Sequence, residues 1–282
     1  IGSYGGELKV TFDIVNYAIS KVATLTDLSD NTLSTGDWAA GVKVKAPAGY
    51  LISSTLKGDY TESYTVATEG QTEVSYYLKE TTTGYISAEK KIAVKIDKTA
   101  PVWAAADGTG EGYGISVKDN WWRELLKTVS FGLLYNDNKL DIKLKASDAD
   151  SGVMEYWYYI EKIDESDIAT GSVTVKTVSE LKRLETENAF TKVDKGIGGG
   201  ATVSGKLDLD GHYVIYAYAK DNAGNASNYI CSEGIVIDRT SPEIKSVKAP
   251  KKAAGTLTEH EGTLTFEMEE TATVSYIVIE TT

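Results

Sequence analysis

The chain contains few of the residues on which small enzymes and disulfide-rich domains depend. Its 282 residues include one cysteine, two histidines, two methionines and four prolines. A single cysteine excludes an intrachain disulfide, so its domains must be stabilised by core burial alone. There is no run of about 18 apolar residues and no basic-then-apolar amino terminus, so neither a membrane span nor a signal peptide is predicted.

Positive charge is also scarce. The chain has 29 Lys and Arg against 41 Asp and Glu, a formal net charge of −12, which opposes binding to nucleic acid and to anionic membranes. No G-x-S-x-G, H-E-x-x-H or paired C-x-x-C motif is present, so hydrolase triads and zinc sites have no basis in the sequence. We therefore expect a protein that is not an enzyme. A glycosidase carboxylate pair stays open, since the sequence does not give the distance between two acids.

The residues that are abundant favour β-structure. The chain has 18 tyrosines and 26 glycines, and its apolar content of 41% is enough for buried cores. In the segment "KLDIKLKAS", apolar side chains from Leu140 to Ala146 alternate with charged ones, which indicates a strand with one buried face. The sequence therefore predicts an all-β protein.

One phrase occurs twice. "IDKTAP" begins at Ile96 and "IDRTSP" begins at Ile237, so the second phrase follows 141 positions after the first. The same offset also aligns Gly70 with Gly211 without a gap. Two related segments that end on a shared phrase predict tandem β-sandwich domains joined end to end.

The repeat divides the chain into three units. Residues 1–97 are predicted to form a first immunoglobulin-like sandwich, within which residues 1–35 are left open as a remnant of a preceding unit. Residues 98–241 are predicted to form a second sandwich, and residues 242–282 part of a third. Each unit ends or begins at the repeated phrase.

The middle unit is predicted to carry two short helices. The segment "DNWWRELLKTV" has apolar residues at helical spacing and predicts a helix near residues 120–129. The segment "TVSELKRLE" places Thr177 and Glu180 in capping-box spacing and predicts a helix near residues 178–187. These insertions explain why the unit is longer than a simple immunoglobulin-like sandwich of about 100 residues.

Several segments resemble the immunoglobulin-like repeats of large surface proteins from Firmicutes. They are "WAAGVKVKAPAGY", "VSYYLKE" and "IDKTAP" in the first unit, and "DNWWRELLKTVSFG", "ASDADSGVMEYWYY", "YAYAKDNAGN" and "GIVIDRTSP" in the second. The resemblance implies an extracellular polypeptide at the cell surface or cell wall of a Gram-positive bacterium. It also implies modules strung into a stalk, and it implies no catalytic role.

An aromatic strand and a tryptophan pair are candidate ligand-binding residues. In "EYWYYIE", Trp157 and Tyr159 share one face of the strand, on which flat rings could stack against sugars. Cross-strand aromatic pairs that stabilise a sheet are the alternative. Trp121 and Trp122, on the predicted helix near residues 120–129, are open to the same two interpretations.

Acidic turns are candidate calcium ligands. Asp148 and Asp150 lie in the turn "SDADSGV", and Asp221 begins the turn "DNAGN". Oxygen-rich turns can hold calcium, although the spacing here is not that of an EF-hand. In the alternative interpretation each aspartate caps free backbone amides. The same two interpretations apply to Asp97 and Asp238, in the repeated phrase. Calcium is the one cofactor that we consider.

The expected function is structural. We expect a non-enzymatic segment of a modular surface protein that acts as a stalk or in adhesion, alongside neighbouring domains of the same polypeptide. Its other expected partners are host or cell-wall glycans, or surface proteins. The alternative function is a carbohydrate-binding accessory module of a system that processes surface polysaccharides.

Overall fold

The computed structural model describes residues 16–103, 115–117, 133–135, 141–169, 173–207, 209–232, 234–248, 265–268 and 274–275. The helix predicted near residues 120–129, with Trp121 and Trp122, lies outside the described residues. None of the helices in the described ranges is long and apolar enough to cross a membrane.

The first part of the chain folds into two facing β-sheets. Their strands in chain order are β1 (Thr24–Asp27), β2 (Thr32–Leu33), β3 (Trp38–Ala39), β4 (Val42–Lys45), β5 (Tyr50–Ser53), β6 (Ser63–Val66), β7 (Gly70–Glu80) and β8 (Lys90–Ile96). One sheet has the order β2-β1-β4-β6 and the other the order β3-β8-β7-β5. Strand β3 runs parallel to β8, and the other pairs are antiparallel.

Strands β1 and β2 fall within the residues that the sequence left open. Strand β1 pairs with β4 in a register that sets Leu25 opposite Val44. Ile19, Ala23 and Leu25 are buried in the same core as Val44. The structure therefore places residues 19–33 in the first sandwich.

The second part of the chain repeats this plan with insertions. Its strands are β9 (Val102–Trp103), β10 (Ile115–Val117), β11 (Leu133–Tyr135), β12 (Ile142–Leu144), β13 (Ala146–Ser147), β14 (Val153–Ile163), β15 (Thr191–Asp194), β16 (Ala201–Val203), β17 (Gly211–Asp221), β18 (Ile230–Cys231) and β19 (Ile235–Ile237). One sheet has the order β10-β12-β16 and the other the order β11-β19-β17-β14-β15, with β18 also on β17. Strand β11 runs parallel to β19.

The two sandwiches share their central strand pairing. In each, a short early strand lies parallel to the last strand, and the last strand pairs in the same register with the long strand that carries the repeated glycine. Gly70 pairs with Ile96 in the first sandwich, and Gly211 pairs with Ile237 in the second, each 141 positions later. Two facing sheets with this strand order form an immunoglobulin-like sandwich. The predicted fold class of tandem immunoglobulin-like sandwiches is therefore confirmed.

A buried serine in each sandwich shows where the 141-position offset changes locally. The Ser87 hydroxyl accepts a 2.9 Å hydrogen bond from the Leu78 N–H, and the Ser227 hydroxyl accepts a 2.9 Å hydrogen bond from the Ala219 N–H. Ala219 follows Leu78 by 141 positions, but Ser227 follows Ser87 by only 140. The turn after β17 is thus one residue shorter than the turn after β7. The offset returns to 141 positions before β19, so a gapless alignment of the two segments does not reveal the shorter turn.

Each sandwich has its own apolar core. The first is centred on side chains such as Val44, Ile52 and Leu78, and the second on side chains such as Ile142 and Tyr156. Strand alternation explains both cores, because every second side chain of a strand points into the space between the two sheets. The predicted buried face of "KLDIKLKAS" is confirmed for residues 142, 144 and 146.

The second sandwich also buries the outer face of its larger sheet. Strand β17 is buried on both faces, which explains why its sequence "YVIYAYA" reads as a continuous apolar run. Helix α2 (Val178–Thr186) packs Leu181 on the outer face against Tyr216 and Tyr218. Its predicted capping box is confirmed, because Thr177 and Glu180 bind each other's backbone N–H groups.

Two smaller elements complete the described structure. Helix α1 (Glu165–Ala169) follows β14 and was not predicted from the sequence, since five residues are too few for a helical period. Strands β20 (Ile244–Lys248) and β21 (Thr265–Met268) form an antiparallel pair after the second phrase.

Candidate metal centre at the domain junction

The repeated phrase forms the same turn at the end of each sandwich. The Asp97 Oδ1 atom accepts a 2.9 Å hydrogen bond from the Thr99 N–H. The Asp238 Oδ1 atom accepts one of the same length from the Thr240 N–H. An aspartate that binds the N–H two residues further on closes an Asx turn, which redirects the chain as it leaves the last strand. The Asp-x-Thr part of the phrase therefore encodes the turn.

An acid from a neighbouring loop holds each turn in place. The Glu69 Oε1 atom accepts hydrogen bonds from the Thr99 hydroxyl at 2.8 Å and from the preceding backbone N–H at 3.1 Å. The Asp210 Oδ2 atom makes the equivalent pair with the Thr240 hydroxyl and the preceding N–H, both at 3.3 Å. Each acid directly precedes the glycine that begins the penultimate long strand. The threonine recurs because it supplies two of the three donors in this network.

The first junction has contacts that join the two sandwiches. Asp97 is 0% exposed, although it lies just after the last strand of the first sandwich. Its Oδ2 atom accepts a 3.0 Å hydrogen bond from the Ser151 N–H, in the turn before β14 of the second sandwich. The Asn225 side chain, also in the second sandwich, donates to the Asp97 carbonyl oxygen at 2.9 Å. Asp97 is thus shared by both sandwiches.

A groove beside this contact is lined by both sandwiches. It has a volume of about 370 Å³, with Leu28 and Trp38 on the first sandwich and Met154 and Lys220 on the second. Its walls include Asp221. The two sandwiches therefore face each other next to the acidic residues.

Three carboxylates meet at the first junction. Asp97, Asp148 and Asp221 each place an oxygen within 4.8 Å of the other two. Asp148 comes from the turn between β13 and β14, and Asp221 is the last residue of β17 and is 1% exposed. None of the three forms an ion pair with a Lys or Arg among the described residues. Negative charge is therefore concentrated here without a direct ion pair to a lysine or arginine among the described residues.

Asp148 has one oxygen in use and one free of hydrogen bonds. Its Oδ1 atom accepts a 2.6 Å hydrogen bond from the Gly152 N–H. Its Oδ2 atom is buried and has no hydrogen-bond partner in the described structure, and the Ser151 hydroxyl is in the same condition. A buried polar atom without a partner costs free energy, about 1–3 kcal/mol. This pair of oxygens therefore has unused capacity to bind a donor or a cation.

The electrostatics of Asp221 reflect this surrounding charge. Burial raises the pKa of the Asp221 carboxyl, and the negative charge of Asp97 raises it further. Hydrogen bonds from the Asn225 side chain and from backbone N–H groups of the turn oppose this rise. The net shift is upward, so the folded chain disfavours the full negative charge of the group when no cation is near.

The acids predicted as calcium ligands fall into two overlapping groups. Asp148 and Asp221 lie together with Asp97. Asp150 lies instead in a more exposed group with Glu69 and Asp97. Asp238, in the second phrase, belongs to neither group. Calcium binding itself stays a prediction, and the structure shows which predicted acids are neighbours.

Glu69 was missed by the sequence analysis. The signal that could have revealed it is the 141-position offset, which aligns Glu69 with Asp210 and places an acid before each repeated glycine. A lone acid before a glycine is unremarkable, and its partner is 29 positions away in sequence. Only the repeat distinguishes it.

Of the predicted aromatic residues, Trp157 and Tyr159 lie on the outer face of the second sandwich. Trp157 stacks on Tyr218 with ring centroids 6.0 Å apart, and Lys220 lies 5.5 Å above its ring. Tyr159 contacts Phe190 and stacks on Tyr216. Both belong to the cluster under helix α2. These contacts match the interpretation in which aromatic pairs stabilise the sheet, and glycan binding by Trp157 and Tyr159 stays untested.

Comparison with known proteins adds no family. No protein-family model and no curated protein matches the chain. Among solved structures it is similar to the fibronectin(III)-like modules of Clostridium thermocellum CbhA, at 12% identity and a TM-score of 0.31, covering 71% of this chain and 87% of that one. It is also similar to the D00-D0 domain of intimin, at 10% identity and a TM-score of 0.22, covering 82% and 98%.

Such low scores carry no argument about function. The fold class rests on the strand order and registers of the chain itself. Those features, with the shared aspartate, define a tandem immunoglobulin-like protein whose two sandwiches meet at a hydrogen-bonded junction.

Proposed function

We propose that this chain is a non-enzymatic structural segment of an extracellular, modular surface protein, in which the junction at Asp97 fixes the orientation of successive sandwiches. The observation that carries the proposal is the buried Asp97 carboxylate, which caps its own turn and also binds the Ser151 N–H of the next sandwich. A flexible linker would leave such a charged side chain in solvent.

The length of the connection supports a fixed orientation. Residues 97–101 alone separate β8 of the first sandwich from β9, and β9 already pairs with β13 of the second. Pro101 restricts both its own φ angle and the residue before it. The Trp103 indole N–H donates to the Asn228 carbonyl oxygen at 2.9 Å, which anchors the chain on its new sandwich. Five residues tied at both ends leave little freedom for hinge motion.

The proposed location and partners rest on the sequence. The resemblance to surface-protein repeats of Firmicutes supports a place at the cell surface or cell wall, as part of a stalk or an adhesin. The acidic composition and the near absence of cysteine are compatible with that place. Neighbouring modules of the same polypeptide are the proposed partners at the junctions, and glycans or surface proteins are proposed for exposed loops.

The glycan-binding alternative has weaker support among the described residues. Trp157 and Tyr159 are both partly buried and already pack on protein rings. No described feature of this face favours a sugar over its present neighbours. The structural role is therefore the function that the geometry supports best.

The test measures the distance between the two sandwiches. Spin labels would be attached at Gln71→Cys in the first sandwich and Thr191→Cys in the second, both exposed, in a chain whose native cysteine is removed by Cys231→Ser. Double electron–electron resonance is expected to give a narrow distance distribution. A distribution that is broad in this otherwise wild-type chain both with and without calcium would contradict the proposal.

Two variants test whether the shared Asp97 contact fixes the distance between the sandwiches. Asp97→Ala is expected to broaden the distribution, because it removes the acceptor of the Ser151 N–H. Asp238→Ala removes the same turn acceptor from the second phrase and is expected to leave the distribution narrow. Equal broadening by both variants would show that the effect does not arise from the contact at the first junction, and it would contradict the proposal.

A further inference from the structure

The first junction has too much buried negative charge for the groups that surround it. Asp97 and Asp221 are almost fully buried, and the Asp148 oxygens lie beside them. Buried charges in proteins are paired with opposite charges or coordinate metal ions. Among the described residues no lysine or arginine fills this role. The described residues therefore leave this negative charge without a paired positive charge.

An independent observation indicates where a positive charge would bind. The Asp148 Oδ2 atom is buried without a hydrogen-bond partner, and so is the hydroxyl of Ser151, whose N–H binds Asp97. The hydrogen bonds of the turn account for Asp148 Oδ1 and for both Asp221 oxygens, but not for these two atoms. A buried carboxylate oxygen that has no hydrogen-bond partner and lies next to two other carboxylates has the position expected of a cation ligand.

The donors select the kind of cation. The group is made of carboxylate oxygens, which suit calcium or magnesium, whereas zinc favours nitrogen and sulfur. Calcium–oxygen distances are about 2.3–2.6 Å, so ligands on opposite sides of one calcium ion are about 5 Å apart. Three oxygens within 4.8 Å of one another therefore fit around calcium. Magnesium usually keeps several waters and binds through one or two carboxylates, so a group of three carboxylates suits calcium better.

From these observations we infer that the junction binds one calcium ion between the sandwiches, with Asp97, Asp148 and Asp221 as its carboxylate ligands. Glu69 and Asp150 form a more exposed acidic rim around the same Asp97. This inference rests on the proposed function, in which the junction fixes the orientation of the sandwiches. It adds that calcium regulates how firmly the junction is held. Because one ligand comes from the first sandwich and two from the second, the ion ties the sandwiches together, and its loss loosens the junction.

The first test is calcium titration of the full chain by isothermal calorimetry and thermal melting. Extracellular calcium modules have dissociation constants of about 0.1–1 mM, so the melting temperature is expected to rise over that range. Asp148→Asn is expected to weaken calcium binding at least about tenfold, since it removes a charged ligand. Absence of binding up to about 10 mM calcium, or wild-type affinity in Asp148→Asn, would overturn the inference.

The sign of the stability change gives a sharper criterion. In chelator, Asp148→Asn is expected to melt at or above the wild-type temperature, because it relieves repulsion among three carboxylates. In saturating calcium it is expected to melt below wild type. Asp238→Asn, at the equivalent turn of the second phrase, should shift melting equally in both conditions. If Asp148→Asn changed the melting temperature equally in chelator and in calcium, the carboxylate group would have only a structural role.

A measurement on the wild-type chain locates the ion without any variant. In proton–nitrogen correlation spectra, calcium is expected to shift the amide signals of Ser151 and Gly152 and to leave that of Thr240 unchanged. Shifts confined to other acidic loops would contradict the site. If the spin-label distances are narrow but calcium is not bound, this inference fails while the proposed function stands. If distances are broad even in calcium, the proposed function fails.

Discussion

The two junctions use the same sequence phrase but make different contacts. Asp97 and Asp238 close identical turns, and Glu69 and Asp210 hold those turns in the same way. Only the first is joined, in the described structure, to a following sandwich, through the Ser151 N–H. The comparison shows that the phrase specifies how the chain leaves a sandwich, and that at Asp97 the Ser151 N–H of the next module binds the buried aspartate.

The largest difference is expected from removing each aspartate. Asp97→Ala eliminates the acceptor of two N–H groups, one of them in the second sandwich, and is expected to lower the free energy of unfolding by about 3 kcal/mol in calcium. Asp238→Ala eliminates the acceptor of one exposed N–H, and about 1 kcal/mol or less is expected. Urea unfolding measures both values. Equal losses would show that the two junctions do not differ.

A second pair of variants separates contact across the junction from contact within one sandwich. The Asn225 amide donates to the Asp97 carbonyl at 2.9 Å and to the Asp221 carboxylate at 2.8 Å. Asn225→Ala is expected to cost about 2 kcal/mol and to broaden the spin-label distances. The matched control is Asn222→Ala, because among the described residues the Asn222 amide donates to the carbonyl oxygens of Ser151 and Gly152, both within its own sandwich.

Asn222→Ala is expected to lower stability without broadening the distances. Broadening by both asparagine variants would indicate that the orientation depends on general stability of the second sandwich. Such a result would remove Asn225 from the junction and leave Asp97 as its main contact.

Equivalent substitutions in the interiors of the two sandwiches should lower the free energy of unfolding by similar amounts, in contrast with the substitutions at the junctions. Ser87→Ala and Ser227→Ala each leave a buried strand N–H, of Leu78 or Ala219, without its acceptor. Each is expected to cost about 1–2 kcal/mol, measured by urea unfolding. Costs that differ by more than a factor of about three would contradict the equivalence of the two turns, despite their difference of one residue in length.

The smallest effect is expected at the acidic rim. Glu69→Gln keeps the acceptor for Thr99 but removes a charge near Asp97, and we expect calcium affinity to fall by only a few fold because solvent screens an exposed charge. Asp210→Asn, the equivalent change in the second sandwich, should leave calcium affinity unchanged. Calorimetric titration checks both. A loss in Asp210→Asn as large as in Glu69→Gln would place calcium elsewhere.

The sequence predicted much of the fold because local patterns decide it. Strand alternation around Ile142, the capping box at Thr177 and each copy of the repeated phrase span only a few residues each. The double burial of β17 depends on helix α2 covering the sheet, which no strand pattern reveals. Helix α1 has five residues and leaves no periodic signal.

The candidate site was only partly predictable. Asp148 and Asp221 were chosen because each begins or lies in an oxygen-rich turn, but their proximity follows from pairing of β14 with β17. Asp97 enters the group from another sandwich, 124 positions before Asp221 in the chain. Contacts over such separations depend on tertiary packing, so spacing in the sequence could name the acids without grouping them.

The measurement that tests the central claim most directly is nitrogen-15 relaxation of backbone amides in both sandwiches. If Asp97 is a shared ligand of the two, all amides outside loops should fit one anisotropic rotational diffusion tensor in calcium. Asp97→Ala should then give two tensors with faster tumbling. Separate, faster tumbling of each sandwich in the wild-type chain would contradict the account.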